Sequence, residues 1–178
     1  MRRSPVLLGA AAAVVVALAS LGTGCSAVET TPPRSSCSWG TFDLRGGDEP
    51  LGSSDALVGA FDDAAGRRVD STTVGEVAAS AGWSAGWDRV IYLNDLTTDA
   101  TLTRKAGDDV HLDCFTGLPR GSGNSDLPGS GVTVFMTEGR PVQAVWWNDL
   151  NPSLRFGNFL LPDTPIGYDA NTGAMREK

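Results

Sequence analysis

The sequence predicts an α+β fold, in which an antiparallel sheet of about four to five strands packs with two to three short helices and one disulfide. Three observations lead to this class. The length of 178 residues suits one domain. Segments that begin with a helix-capping residue and have apolar residues at helical spacing come first in the sequence. Runs of β-branched and aromatic residues, which are typical of strands, follow them. Early helices followed by hairpin-linked strands are typical of α+β domains.

The first two predicted helices have start and stop signals in the sequence. Ser54 can cap the first helix, whose apolar stripe ends at Gly66. Thr73 and Glu76 form a capping box at the start of the second, because each side chain can satisfy a free amide of the other residue. Gly82 stands just after that helix, at a position where glycine commonly ends helices.

A third, shorter helix is predicted from Thr98 to Gly107. Thr98 can cap it, and Leu102 and Ala106 lie four residues apart, which places them on one helix face. We therefore expect that face to pack on the core.

Five segments rich in β-branched and aromatic residues predict strands, and they are 87–93, 110–115, 131–137, 142–147 and 154–160. The third and fourth flank a short turn segment and predict a hairpin. The Gly-, Pro- and Ser-rich segment 117–130 predicts a loop. The apolar pattern fades after residue 161, so 162–178 is expected to be a loose C-terminal tail.

The first 24 residues have the pattern of a bacterial signal peptide. Arg2 and Arg3 form a cationic start, and residues 5–24 contain no charged side chain. The strongly apolar run ends near Ser20, which is short for a membrane-spanning helix and suits a cleaved signal.

Thr23-Gly24-Cys25 resembles the lipobox of bacterial lipoproteins, in which two small residues precede an invariant cysteine; Leu21 lies one position earlier than usual. The resemblance implies that 1–24 is removed and that Cys25 becomes a diacylated N-terminus. It implies a secreted protein anchored by its acyl chains, such as palmitate, at the extracytoplasmic face of the cell membrane. An Ala-, Gly- and Asp-rich composition suggests an actinobacterial source. An unmodified Cys25 and an uncleaved anchor remain alternatives.

With Cys25 lipidated, Cys37 and Cys114 are left as a pair. An exported protein meets an oxidising compartment, so a disulfide between them is the expected state, with two free thiols as the alternative. Residues 25–36 are rich in Pro, Ser and Thr and predict a semi-extended tether. The domain itself is expected to span 37–161.

Charge and composition exclude several partners and sites. The formal charge is −7 and becomes −9 when Arg2 and Arg3 leave with the signal peptide, which argues against nucleic acid as a partner. One histidine and three cysteines are too few for a His₃ or Cys₄ zinc site. The acidic groups around Asp99, Asp109 and Asp169 are better explained as turns and caps, so no metal and no cofactor is predicted.

His111 and Asp113 are the strongest catalytic candidates, although no catalytic residue is predicted. On a strand their side chains would share one face, and a carboxylate can orient an imidazole as a general base. No serine stands in a nucleophile elbow that would complete such a site. The polar face of a half-buried strand is the simpler interpretation.

Four tryptophans are the candidate binding residues: Trp83, Trp87, Trp146 and Trp147. Adjacent residues on a strand point to opposite faces, so Trp146 and Trp147 cannot both lie in the same core. An exposed indole can stack on a sugar or anchor a protein partner. The alternative is that helices cover the second face as well.

Together these features predict a lipid-anchored envelope lipoprotein that acts as a non-catalytic binding module, with membrane lipid and an envelope protein as partners. One alternative is an envelope hydrolase that uses His111 and Asp113. Another is a module resembling the helix-on-sheet β-lactamase inhibitor proteins, which would bind an enzyme through aromatic residues on one sheet face. The oligomeric state is not predicted by any sequence feature.

Overall fold

The computed structural model describes residues 37–119, 131–147 and 153–178, all of which belong to one compact unit, Arg34–Lys178. The predicted signal peptide, Cys25 and the tether lie outside the described residues, as does most of the predicted loop 117–130. The fold is α+β, as predicted. None of the helices in the described ranges is long and apolar enough to span a membrane.

In the described ranges, three α-helices form where capping signals occur, and they are α1 (Ser54–Gly66), α2 (Val74–Ser80) and α3 (Asp99–Ala106). The cap of α1 is Ser53 rather than Ser54, because the Ser53 hydroxyl accepts the Ala56 N–H at 3.3 Å. The capping box of Thr73 and Glu76 is present at α2. Thr98 caps α3, as predicted.

The described strands are mostly short, and they are β1 (Phe42–Asp43), β2 (Thr72–Thr73), β3 (Arg89–Leu93), β4 (Phe115–Thr116), β5 (Val132–Thr137), β6 (Arg140–Trp146), β7 (Leu154–Arg155), β8 (Phe159–Leu160), β9 (Pro165–Asp169) and β10 (Ala174–Glu177). β5 and β6 form the predicted hairpin. Its two-residue turn is Glu138-Gly139, and both have positive φ, 49° and 73°, which matches the twist of the flanking strands.

A four-stranded antiparallel sheet in the order β6-β5-β3-β8 forms the centre of the domain. Alternate residues of its strands enter two separate cores. Val90 and Phe135 pack on the side of α1 and α2, whereas Ile91 and Val134 pack on the side of α3 and the disulfide. Both faces of the central sheet are therefore covered.

The prediction that residues 162–178 form a loose tail is wrong. β9 and β10 pair antiparallel in a second sheet of order β2-β9-β10-β7, and Ile166 and Met175 are completely buried. Each of the two strands is short and places only some of its residues in the core, so the tail lacks a long apolar run. The domain consequently continues to Lys178 instead of ending at residue 161.

The predicted disulfide joins Cys37 to Cys114. Next to it, β1 pairs in parallel with β4, so that Phe42 lies opposite Phe115. The segment around β1 is thus held to the rest of the domain by both a covalent bond and a short strand pairing.

Candidate functional site

The structure buries three of the four candidate binding tryptophans. Trp83 and Trp87 are each 6% exposed and Trp147 is 9% exposed, whereas Trp146 is half-buried. These three rings therefore do not form an open platform on which a sugar could stack.

Trp146 and Trp147 belong to opposite sides of the central sheet, as their adjacency predicted. The Trp147 indole N–H donates to the Thr133 hydroxyl at 2.7 Å. The Trp146 N–H donates to the Leu44 carbonyl at 2.6 Å, and the Arg45 guanidinium lies 4.2 Å from the Trp146 ring centroid. Both indole N–H groups thus donate hydrogen bonds to other groups of the same domain, which fits a structural role.

Trp83 and Trp87 differ from that pair, because both contact the same buried ring. Their centroids lie 4.7 Å and 5.1 Å from that of Phe135. The Trp83 N–H donates to the Ser53 carbonyl at 2.8 Å. In the described part of the chain, by contrast, no protein group accepts the Trp87 N–H. The Trp87 nitrogen is not among the buried atoms that lack a partner, so this N–H is open to solvent.

These two indoles line a cleft of about 180 Å³, which we term the tryptophan cleft. Its other walls are small or rigid residues, mainly Ala78, Ala79, Ala85 and Pro162. Pro162 is tied to α2, because its carbonyl accepts the Gly75 N–H at 2.7 Å. The cleft is therefore apolar, with an aromatic floor and walls held by backbone hydrogen bonds.

The loop between the two tryptophans is also anchored at both ends. The Ser84 N–H donates to the Leu51 carbonyl at 2.7 Å, and the Thr137 hydroxyl donates to the Gly86 carbonyl at 2.5 Å. These two bonds within the domain hold the wall that Ala85 contributes. A pre-formed wall of this kind reduces the entropy that a ligand must lose on binding.

A second cleft of about 390 Å³, which we term the polar cleft, is lined mainly by Asp88, Arg89, Ala106, Met136, Glu138 and Leu161. The Asp88 carboxylate accepts the Glu138 N–H at 2.6 Å and so fixes the hairpin turn. The Arg89 guanidinium donates to the Lys105 carbonyl at 3.1 Å and stacks 4.6 Å from the Phe159 centroid. Leu161 is 38% exposed.

His111 and Asp113 do not share a strand face, so that part of the sequence prediction is wrong. Leu112–Cys114 is a 3₁₀ turn, followed by the two residues of β4. The Asp99 carboxylate accepts the Leu112 N–H at 2.7 Å, and the Cys114 N–H returns to the His111 carbonyl at 3.0 Å. These bonds fold the segment into a turn. His111 and Asp113 therefore do not have the relative geometry of a His–Asp pair on a strand.

Two of the polar groups considered at the sequence level, Asp169 and Asn94, accept hydrogen bonds within turns. Asp169 accepts the Asn171 N–H at 2.9 Å and an Arg176 N–H at 3.2 Å, and these bonds lower its pKa, the first most strongly. Asn94 accepts the Leu96 N–H at 3.1 Å. Across 37–119, 131–147 and 153–178, no group of three or more His, Cys, Asp or Glu side chains could hold a metal ion.

The sequence analysis identified the tryptophans but missed the small residues and the proline that complete the cleft. Gly75, Ala78 and Ala79 lie on the short helix α2, and Pro162 is distant in sequence. The three residues between Trp83 and Trp87 are all small, and this pattern could have indicated a cleft beside the two indoles. Comparison of the chain with protein-family models, curated proteins and solved structures found no significant match.

Proposed function

We propose that the chain is a bacterial lipoprotein of the cell envelope, held by acylated Cys25 at the extracytoplasmic face of the membrane, where its domain binds a partner without catalysing a reaction. The observation that carries the proposal is the Cys37–Cys114 disulfide. Structural disulfides persist in oxidising compartments outside the cytosol. Export therefore accounts for both this bond and the signal-like start of the chain.

The position of Cys37 supports an anchored domain. The bond fixes the chain to the folded body at residue 37, and residues 26–36 are all that separate this point from Cys25. An extended chain spans about 3.3–3.6 Å per residue, so these residues reach about 40 Å at most. A domain on such a tether would work close to the membrane surface.

Binding is favoured because contacts within the domain hold the walls of the tryptophan cleft in place. Its indoles are held by Phe135 and its loop by hydrogen bonds, which is the pre-organisation that binding sites use. The hydrolase alternative depended on His111 and Asp113 sharing a strand face, and they do not. The geometry therefore favours recognition over hydrolysis.

The anchoring half is tested with Cys25→Ser in the full chain expressed in its native type of host, and Ser35→Ala serves as the control. We expect Cys25→Ser to move the protein from the membrane fraction to the medium, and the control to stay with membranes. Intact mass spectrometry should find acyl chains on wild type only. Unchanged membrane retention of Cys25→Ser without acylation of wild type would refute the anchor.

The binding half is tested by cross-linking the wild-type protein in intact cells, followed by recovery and mass spectrometry. A cross-linked envelope protein recovered with wild type, and absent with the released Cys25→Ser variant, supports the proposal. If wild type yields only monomer and lipid at every cross-linker length, the binding role is wrong.

A further inference from the structure

The segment 45–50 passes from one face of the central sheet to the other. Leu44 precedes it and is buried on the side of α3 and the disulfide, whereas Leu51 follows it and is buried on the side of α1 and α2. All residues between these two leucines are exposed. We term the segment 45–50 the strap.

The two ends of the strap contact the same strand. On one face, the Leu44 carbonyl accepts the indole N–H of Trp146 at 2.6 Å. On the other face, the Leu51 N–H donates to the Gln143 side chain at 2.9 Å. Trp146 and Gln143 both belong to β6, which is the outermost strand on its side of the central sheet.

The short length of the strap favours a route round β6. An extended chain spans about 3.3–3.6 Å per residue, so the connection from Leu44 to Leu51 reaches about 25 Å at most. A route round β8, at the opposite border, would cross the width of the sheet on both faces as well as its thickness. That path is roughly 40 Å, because strands lie about 4.8 Å apart and packed layers about 10 Å apart. The strap therefore crosses the border of the sheet beside residues 143–146.

The outer edge of β6 has no strand partner within the described ranges. β6 pairs with β5 alone, and no backbone hydrogen bond joins 140–146 to the strap in this part of the chain. Residues 141–147 carry no charge, and Pro141 is the only one of them without a backbone N–H. A long, uncharged edge strand can pair with another chain, and natural proteins often cover such an edge with a loop.

Hydrogen bonds and a ring contact fix the strap at its two ends. The Gly46 N–H donates to the Asp43 carbonyl at 3.1 Å, and the Arg45 guanidinium lies 4.2 Å from the Trp146 ring centroid. At the other end, the Glu49 carboxylate accepts the Ser54 N–H at 2.7 Å. The strap thus occupies the border beside β6 without adding a strand to the sheet.

We infer that the strap covers the outer edge of β6 and prevents two copies of the chain from pairing through this strand. A second copy fits an uncovered edge, because two antiparallel β6 strands bring no like charges together along 141–147. A pair centred on Gln143 would place Arg140 opposite Trp146 of the other copy, where a cation can contact an indole. This inference goes beyond the proposed function and does not depend on anchoring or on an envelope partner.

The test cuts the strap in the folded protein. The recognition site of a sequence-specific protease is inserted between Gly46 and Gly47 of the full chain, with Cys25→Ser to remove the cysteine outside the disulfide. The control carries the same site between Asp108 and Asp109, which are also exposed. Both cuts lie between Cys37 and Cys114 in sequence, so the disulfide still joins the fragments.

Sedimentation equilibrium in density-matched detergent measures the mass of the protein before and after cleavage, and circular dichroism checks that each form stays folded. We expect cleavage of the strap to double the mass and cleavage at the control site to leave it unchanged. Amide hydrogen exchange in 140–146 should become slower in the strap-cleaved form, because β6 gains a second strand partner.

A charge on the edge strand provides a second comparison. Ala144→Lys places a lysine on β6 and should return the strap-cleaved chain to the mass of the uncut protein, whereas Ala100→Lys, at an exposed site on α3, should not. An unchanged mass after cleavage of the strap would overturn the inference. The same doubling at the control site, or a doubling without slower exchange in 140–146, would also overturn it.

Discussion

The side-chain carbonyl of Gln143 accepts the backbone N–H of Leu51 at 2.9 Å, although 92 residues separate them in sequence. The amide of the same side chain donates to the Gly52 carbonyl at 2.8 Å, and Gln143 is completely buried. The Leu51 carbonyl in turn accepts the Ser84 N–H of the cleft loop. Gln143 therefore connects the central sheet to the wall of the tryptophan cleft.

Gln143→Leu should destabilise the domain by about 2–4 kcal/mol, because the buried Leu51 N–H and the partly buried Gly52 carbonyl lose their partners at about 1–3 kcal/mol each. Urea unfolding followed by far-ultraviolet circular dichroism measures the change. Asn158→Leu, which alters an exposed residue, is the control and should change stability by less than about 0.5 kcal/mol. Equal stability of the two variants would show that Gln143 does not hold the segment.

Removal of the disulfide should lower the free energy of unfolding by about 4 kcal/mol, because the bond closes a long loop in the unfolded chain. Reduction of wild type and the double change Cys37→Ala with Cys114→Ala should give similar urea midpoints. Reductant should leave the double variant unchanged. A wild-type midpoint that does not respond to verified reduction would contradict this account.

Substitution of glycine by alanine is expected to have opposite effects on stability at Gly131 and at Gly59. A Cβ at Gly131 would overlap the Tyr92 phenol, so Gly131→Ala should destabilise by about 1–3 kcal/mol through overpacking. Gly59 lies inside α1 with open space around it, so Gly59→Ala should stabilise by about 0.5–1 kcal/mol through helix propensity.

The pair is measured by thermal and urea unfolding of the single variants. Combining Gly131→Ala with Tyr92→Leu should recover part of the loss, because the overlapping ring is removed. A loss in the double variant equal to the sum of the two single losses would argue that Tyr92 is not the cause.

Local signals in the sequence predicted the helices and the central hairpin well. The capping residues Thr73 and Thr98 act through neighbours three residues away, so the whole interaction is visible in a short window. The two-residue turn at Glu138 and Gly139 is local for the same reason. The disulfide was predictable because only two cysteines remained once Cys25 was assigned to lipidation.

Features that depend on distant contacts were missed. The 3₁₀ turn at Leu112 forms because Asp99, from another element, accepts its N–H. β9 and β10 are strands because they pair with each other and with short distant strands. The tryptophan cleft needs Pro162 beside α2, a contact between residues far apart in sequence. The spacing of apolar residues within a short stretch of sequence does not indicate which distant residues will be in contact.

The capping box of α2 predicts how stability depends on acid. The pKa of Glu76 is lowered chiefly by the Thr72 hydroxyl and then by the Thr73 N–H, so the unfolded chain binds the proton more readily than the folded one. The stabilisation is therefore present above pH 4.5 and is lost as the pH falls through the folded-state pKa. Glu76→Gln should melt below wild type at neutral pH and approach it in acid.

Melting temperatures of wild type, Glu76→Gln and the control Glu177→Gln, measured from pH 7 to pH 2.5, test this linkage. The control changes an exposed carboxylate at the end of β10, so its curve should follow that of wild type. Because the Thr72 hydroxyl and the Thr73 N–H bind the ionised form of Glu76 more strongly than the protonated form, the gap between wild type and Glu76→Gln should narrow as the pH falls below 4.5. A gap that stays constant across the whole range would mean that the glutamate acts through its shape and not through its charge.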